Sequence, residues 1–169
     1  MTADIREEII EFLPRLRRFA YSLAGNVTDA DDLVQDVCVR ALDRAHQWRP
    51  GTRLDSWMYR IAQNLWIDKV RSEKTRNTVK QTILTQPDEM HTARNPAEDR
   101  LTLEAVRQGI AELPDEQKVV VALVCLDGLS YGETADITGV PIGTVMSRLS
   151  RARKVLHRKM HGESNAKTT

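Results

Sequence analysis

Apolar residues in the first part of the chain recur every three or four positions, which is the spacing of one face of an amphipathic α-helix. A first helix is predicted over residues 5–24, with a buried face formed by Ile9, Phe12, Leu13, Leu16, Phe19, Ala20 and Leu23. Gly25-Asn26 predicts the end of this helix, because glycine readily adopts the left-handed conformation that closes a helix.

The same spacing predicts two more helices on either side of a Pro-Gly break. Thr28 and Asp29 are both candidate N-caps of a second helix, whose buried face is Ala30, Leu33, Val34, Val37, Ala41 and Leu42. After Pro50-Gly51 a third helix continues to about Arg76, with an apolar stripe formed by Trp57, Ile61 and Leu65. Residues 1–76 therefore predict one small helical domain.

The pattern stops over residues 77–100, which are polar, contain Pro87 and Pro96 and have no sustained period. This composition is typical of a flexible linker at a domain boundary. Helical spacing returns over residues 101–113, and Pro114 closes the helix that is predicted from Leu103, Val106 and Ile110. Residues 117–126 are almost wholly apolar and could form a buried strand, but a helix is preferred because no second strand is available for pairing.

A helix-turn-helix is predicted near the C-terminus. Ser130 and Glu133 have the spacing of a capping box, Ala135 allows close helix packing, and Gly139 supplies the positive φ of a tight turn. Pro141 suits the first turn of a last helix, whose apolar stripe is Ile142, Val145, Leu149, Ala152 and Leu156. Its opposite face carries Thr144, Ser147, Arg148, Arg151, Lys154 and Arg158.

The expected fold class is all-α, with two small helical domains joined by a flexible linker and a helix-turn-helix in the second domain. The boundaries are residues 1–76, a linker over 77–100, residues 101–161 and a disordered tail over 162–169. With 169 residues in total, each domain is near the lower limit for a stable core.

Charge is distributed unevenly, although the formal net charge is only +1. Residues 137–162 contain six Lys or Arg residues and no Asp or Glu, whereas acidic residues concentrate between Asp29 and Asp36. A basic helix of this kind suits the major groove of DNA, because Arg pairs bidentately with guanine and basic turns attract phosphates. The alternative is a solvated basic helix without a partner.

Several classes of protein are disfavoured. The chain has no apolar run that could span a membrane and no signal peptide, so a cytoplasmic protein without membrane insertion is expected. Cys38 and Cys125 are far apart in apolar runs, which predicts two buried thiols without a disulfide or a metal site. No phosphate-binding Gly loop, HExxH motif or nucleophile-base pair is present, so we expect no enzyme, cofactor or small-molecule substrate.

Motifs in both halves resemble extracytoplasmic-function sigma factors. Residues 113–115, 128–131 and 141–153 resemble the family's C-terminal domain, sigma region 4. Residues 30–37 (ADDLVQDV) resemble the core-polymerase-binding helix of region 2, and residues 56–64 (SWMYRIAQN) resemble its promoter-melting segment. The resemblance implies a sigma factor that binds core RNA polymerase and directs promoter-specific transcription initiation, and that acts as a binding protein and not as an enzyme.

The resemblance also implies roles for individual residues. Core polymerase would be bound by Asp32, Gln35, Asp36 and Arg40. The melted minus-10 element would be read by Trp48, Arg53, Trp57, Arg60, Asn64, Lys69 and Arg71. The duplex minus-35 element would be read by Thr144, Ser147, Arg148, Ser150, Arg151 and Lys154. Trp57 shares the apolar stripe with Ile61, so a core position is the preferred interpretation for it, and Asn64 is the better candidate for a base contact.

Three positions depart from the family pattern. Met146 stands where many relatives have Lys or Arg, Ser150 where an aromatic residue can occur, and Cys38 where Phe or Tyr is common. Met146 and Ser150 leave the base preference of the last helix open, whereas Cys38 concerns packing. The resemblance further implies an anti-sigma factor that wedges between the domains, which requires a flexible linker.

Two other functions fit part of the sequence. A sigma-mimicking interaction protein could sequester an anti-sigma factor, but it need not retain Arg148, Arg151 and Arg153. A conventional helix-turn-helix regulator with a sensing domain would leave the motifs at residues 31–37 and 57–64 unexplained.

Overall fold

The computed structural model describes residues 4–77 and 97–161, so most of the predicted linker and the predicted tail lie outside the described residues. Within these ranges the chain is helical and has no strands, which confirms the all-α prediction. The elements are α1 (Ile5–Ala24), α2 (Val27–Asp43), a 3₁₀ turn (Ala45–Gln47), α3 (Leu54–Asn77), α4 (Ala97–Ala111), α5 (Asp115–Val121), a π-helical turn (Ala122–Leu126), α6 (Tyr131–Thr138) and α7 (Ile142–Met160).

The turn between α1 and α2 is shorter than the sequence predicted. Gly25 ends α1 with a φ of 75°, as expected. Asn26 then caps α2, because its side-chain oxygen accepts a hydrogen bond from the Asp29 N–H at 2.8 Å. The prediction of Thr28 or Asp29 as the N-cap is wrong, since both residues lie inside the first turn.

Helices α1, α2 and α3 pack around one apolar core. The predicted faces of α1 and α2 are confirmed, except that Leu13 is only half-buried and Leu42 is exposed. Tyr59 is fully buried at the centre, and its ring meets those of Phe12 and Phe19 edge-on at centroid distances of 4.9 Å. Such pairs stabilise a core beyond simple burial.

Helix α3 buries a wider surface than the predicted stripe. Trp57 and Leu65 are only half-buried, whereas the buried residues are Leu54, Met58, Tyr59, Ile61, Ala62 and Trp66. The reason is that α3 is covered from two sides, by α1 and α2 and by the C-terminal helices.

The apolar run after Pro114 is helical, as predicted, but its second part widens into a π-helical turn. There the Asp127 N–H donates to the Ala122 carbonyl at 3.1 Å, and Gly128 follows with a φ of 70°. Cys125 is exposed on this turn, so the prediction that it is buried is wrong. Cys38 is half-buried in α2, where burial raises the pKa of its thiol.

Helix α4 begins at Ala97, earlier than the predicted start at Leu101, and its Leu103 is exposed instead of lying on the buried stripe. Gly109 allows α4 to approach α7 closely, because a Cβ at this position would lie 2.8 Å from Leu156 Cδ2. On α7 itself Val145, Leu149 and Ala152 are buried as predicted, whereas Ile142 is exposed.

The predicted start and end of α6 are both confirmed. The Glu133 N–H donates to Ser130 Oγ at 3.1 Å, and the Ser130 N–H donates to the Glu133 carboxylate at 2.8 Å, which completes the capping box. Gly139 ends the helix with a φ of 71° and turns the chain toward α7.

The N-terminal and C-terminal helices share an apolar core. Five residues of the C-terminal part belong to the same buried cluster as the core of α1–α3: Val119, Ala122, Leu123, Leu129 and Ile137. Val120 and Val121 instead join a second cluster within the C-terminal helices. Helix α5 is therefore buried on both sides, which explains why its sequence is apolar without a period.

Gly139 and Gly143 offer a matched pair of substitutions with opposite expected effects. Gly139→Ala places a Cβ at positive φ and should lower the free energy of unfolding by about 1–2 kcal/mol. Gly143→Ala adds a Cβ in open space inside α7 and should raise it by about 0.5 kcal/mol. Urea unfolding followed by circular dichroism measures both, and equal effects of the two substitutions would contradict the turn geometry.

Candidate nucleic-acid interface

Helix α7 presents a continuous polar and basic face to solvent. Ser147, Ser150, Arg151 and Lys154 are exposed, while Thr144 and Arg148 are half-buried. Val145, Leu149 and Ala152 anchor the opposite face in the core of the C-terminal helices. All six predicted minus-35 residues thus lie on one helix, whose orientation is set by the tight turn at Gly139.

A shallow groove runs beside this face. Tyr131, Met146 and Leu149 contribute apolar surface to it, and the other lining residues are polar or basic, namely Ser150, Arg153, Lys154, His157 and Arg158. Sequence reasoning did not assign Tyr131 to this surface, whereas Arg153 lies within the motif that resembles sigma region 4. The positive charge of the groove favours an anionic ligand such as a phosphate backbone.

The four residues predicted to bind polymerase share the outer face of α2. Asp32, Gln35, Asp36 and Arg40 are all exposed, and the same helix buries Leu33, Val34 and Val37 on its inner face. Val39, which is 59% exposed, follows Gln35 and Asp36 by about one turn. The surface therefore combines carboxylates, an amide and an exposed apolar side chain.

The residues predicted to read melted DNA are spread over α3 and the preceding loop. Arg53, Arg60, Asn64 and Arg71 are exposed, and Lys69 is half-buried, 3.8 Å from the Asp29 carboxylate. The indole rings of Trp48 and Trp57 are half-buried and pack against the core of α1–α3.

Two of these residues contact the C-terminal helices directly. The Arg53 guanidinium forms an ion pair with the Glu133 carboxylate and a second pair, at 2.8 Å, with Asp55. Arg60 donates a hydrogen bond to the main-chain carbonyl of Asp136 at 2.9 Å. Two predicted DNA-reading arginines are therefore engaged by α6, the first helix of the helix-turn-helix.

A charged cluster sits deeper in the same interface. The Asp127 carboxylate, with only 9% of its side chain exposed, accepts hydrogen bonds from Arg15 at 2.7 Å and from the Tyr59 hydroxyl at 2.5 Å. Arg15 also lies 3.6 Å from Asp55 and over the Phe12 ring. Removing one partner of a buried ion pair costs roughly 3–5 kcal/mol, and less is expected here because Arg15 is 37% exposed.

The cluster shifts the pKa values of its members in directions that strengthen it. The hydrogen bond to Asp127 raises the pKa of Arg15. Burial, followed by the hydrogen bond to Asp127, raises the pKa of Tyr59 well above its usual value. Burial would raise the pKa of Asp55, but hydrogen bonds from Arg53 and the Ser56 N–H together with nearby positive charge lower it.

Sequence reasoning missed Arg15, Tyr59 and Asp127. One signal for Arg15 was available, because it falls three residues after Phe12 and four before Phe19 and therefore lies on the buried stripe of α1. A charged residue on such a stripe needs a partner. The partner lies more than a hundred positions away, where no local pattern could indicate it.

Residues 4–77 and 97–161 contain no cluster of three or more His, Cys, Asp or Glu side chains suited to a metal ion. None of the helices in the same ranges is long and apolar enough to cross a membrane.

Both halves of the chain are similar to known protein families. Residues 9–76 match the family Sigma-70 region 2, and residues 103–156 match Sigma-70, region 4. The chain is 35% identical to the ECF RNA polymerase sigma factor EcfG of Rhodopseudomonas palustris over 161 residues, which cover 92% of this chain and 84% of the relative. It is 30% identical to the ECF RNA polymerase sigma factor SigW of Bacillus subtilis, over 93% of this chain and 89% of the relative.

The structure is similar to that of the sigma factor RpoE from Bartonella quintana, which was solved in complex with the anti-sigma factor NepR. The TM-score is 0.81 at 28% sequence identity, with 95% of this chain and 99% of the other covered. Because one superposition includes both sets of helices, the packing of the N-terminal helices against the C-terminal ones is similar in the two proteins.

The buried Tyr59 predicts a dependence of stability on alkaline pH. Its pKa is raised in the folded protein, so this stabilisation is complete below the ordinary tyrosine value of about 10 and is lost as the pH rises above it. Above that value the free energy of unfolding should fall by up to about 1.4 kcal/mol for each pH unit. Urea unfolding between pH 8 and about 11 should show a steeper loss for the wild type than for Tyr59→Phe, and parallel curves would contradict the burial of an un-ionised phenol.

Proposed function

The chain belongs to the ECF RNA polymerase sigma factors, and from this membership we propose that it binds core RNA polymerase, directs initiation at specific promoters and is controlled by an anti-sigma factor. One observation carries the proposal: both sigma regions occur in order in one chain, which aligns with a curated sigma factor over 92% of its length. In this role the protein binds polymerase and DNA and catalyses no reaction. It works in the bacterial cytoplasm.

Core polymerase is bound by the outer face of α2. Asp32, Gln35 and Asp36 offer carboxylate and amide oxygens to basic groups, and Arg40 adds a guanidinium on the same face. Charge complementarity of this kind fixes the register and speeds the association of two proteins.

Promoter DNA is read at two ends of the molecule. Arg60, Asn64 and Arg71 on α3, with Arg53 in the loop before it, supply the donors and positive charge that single-strand binding uses. Trp48 and Trp57, both half-buried, contribute aromatic surface, and Lys69 adds a positive charge. Helix α7 reads the duplex element with Thr144, Ser147, Arg148, Ser150, Arg151 and Lys154.

Control by an anti-sigma factor is supported by the similarity to RpoE, which was solved with the anti-sigma factor NepR. A sigma mimic is the second candidate, but no observation favours it. A protein that only sequesters an antagonist need not retain the exposed basic face of α7.

The direct test is reconstituted transcription. Purified protein and core polymerase, but neither alone, should start transcription from a set of promoters in a genome-wide run-off screen. Tight binding of an anti-sigma factor combined with no transcription from any promoter would support the mimic instead.

Substitutions on the two proposed binding faces should have different effects. Arg148→Ala together with Arg151→Ala should lower run-off transcription by about tenfold or more, because each bidentate contact between an arginine and a base contributes about 1–3 kcal/mol. Core polymerase affinity should be unchanged, whereas Asp32→Ala with Gln35→Ala should lower it. Arg6→Ala removes an exposed arginine of α1 and serves as the charge control. Loss of polymerase binding in the α7 variant would contradict the assignment.

A further inference from the structure

Two histidines near the end of α7 lie on the same side of the helix. His157 and His161 are four positions apart, and side chains at this spacing are neighbours on a helix surface. Their imidazole rings are stacked, with ring centroids 4.1 Å apart and an angle of 20° between the planes. Both side chains are exposed, so the pair is open to a ligand from solvent.

The ring nitrogens of this pair have no competing partner among the described residues. Neither ring makes a hydrogen bond or an ion pair to residues 4–77 or 97–161, and the contact between the two rings is the side-chain interaction that they make there. The His161 N–H donates to the His157 carbonyl at 3.1 Å, so the helical backbone fixes the spacing of the two side chains. Two adjacent imidazoles with free nitrogens can act together as a bidentate ligand for a metal ion.

The distance between the rings suits a metal ion. Zinc binds imidazole nitrogen at about 2.0–2.1 Å in a tetrahedral arrangement, so two nitrogens on one ion lie roughly 3.4 Å apart. Rings whose centroids are 4.1 Å apart can present equivalent nitrogens at that separation after small rotations about their χ angles. The described residues supply no third ligand, so water would fill the two remaining positions of a tetrahedral ion.

The charges around the pair act in two directions. His161 is the C-cap of α7, where the unpaired carbonyls of the last turn carry partial negative charge and favour a cation. Lys154 and Arg158 lie within one turn of His157 and oppose a cation. Both of these side chains are long and exposed, so water weakens their repulsion and their charged ends can turn away from the ion.

We propose that His157 and His161 form a surface site for one divalent transition metal ion, which bridges successive turns at the end of α7. The site goes beyond the proposed sigma-factor function and does not depend on it. Imidazole suits zinc, copper and nickel, whereas magnesium and calcium prefer oxygen ligands. His157 lines the same groove as Ser150 and Lys154, so the ion would add positive charge beside the proposed DNA-binding face.

The test is a calorimetric titration of the full-length chain with Zn²⁺, with Mg²⁺ as the ion control. Every protein carries Cys38→Ser and Cys125→Ser, because thiolates also bind zinc. We expect the parent chain to bind one Zn²⁺ at the pair and no Mg²⁺. His157→Gln and His161→Gln should each weaken Zn²⁺ binding by about tenfold or more, because even residues that only support the ligands of a metal site contribute that much.

Two further variants serve as matched controls. His46→Gln removes an exposed histidine outside the pair and should leave Zn²⁺ binding unchanged. Lys159→His with His161→Lys keeps the composition but places the two imidazoles two positions apart, where they point to different faces of the helix. This rearranged variant should bind Zn²⁺ as weakly as the single variants. It loses the exposed pair between Lys159 and Glu112, and such pairs contribute little to stability.

Each outcome decides for or against the site. Binding of Zn²⁺ that is lost in both single variants and in the rearranged variant, but kept in His46→Gln, would support it. No binding by the parent chain, or binding that survives in a single variant or in the rearranged variant, would overturn it. Far-UV circular dichroism shows that each variant retains its helices, as expected for substitutions at exposed positions.

Discussion

The contact of the buried Asp127 carboxylate with Arg15 and Tyr59 is the polar interaction that joins the C-terminal helices to α1–α3. A carboxylate with so little exposure is tolerated only with hydrogen-bonding partners, and here both partners come from the other domain, Arg15 from α1 and Tyr59 from α3. The π-helical turn and the positive φ of Gly128 bring Asp127 to that position. The contact thus ties the local backbone of one domain to the core of the other.

Two kinds of surface follow from this arrangement. The outer face of α2 and the basic face of α7 are open to solvent, whereas part of the α3 surface is covered by α6. Of the three proposed binding surfaces, those on α2 and α7 are therefore exposed, and the one on α3 is partly covered by α6.

Much of the fold could be predicted from local sequence, because helix periodicity and capping depend on residues within a few positions. The faces of α1 and α2, the capping box at Ser130 and the turn at Gly139 are examples. The width of the α3 core, the exposure of Cys125 and the cluster around Asp127 could not be predicted, since each depends on contacts between distant segments. The individual DNA and polymerase contacts remain predictions.

The central claim is that the C-terminal helices pack on α1–α3 in the free protein, with Asp127 held between Arg15 and Tyr59. Fluorescence energy transfer between dyes at Glu11→Cys on α1 and Met160→Cys on α7, in a chain with Cys38→Ser and Cys125→Ser, measures the separation of these two helices. We expect high transfer in the wild type and lower transfer in an Asp127→Arg variant, because that variant places a second guanidinium against Arg15. Low transfer in the wild type, or equal transfer in the wild type and in Asp127→Arg, would contradict this packing.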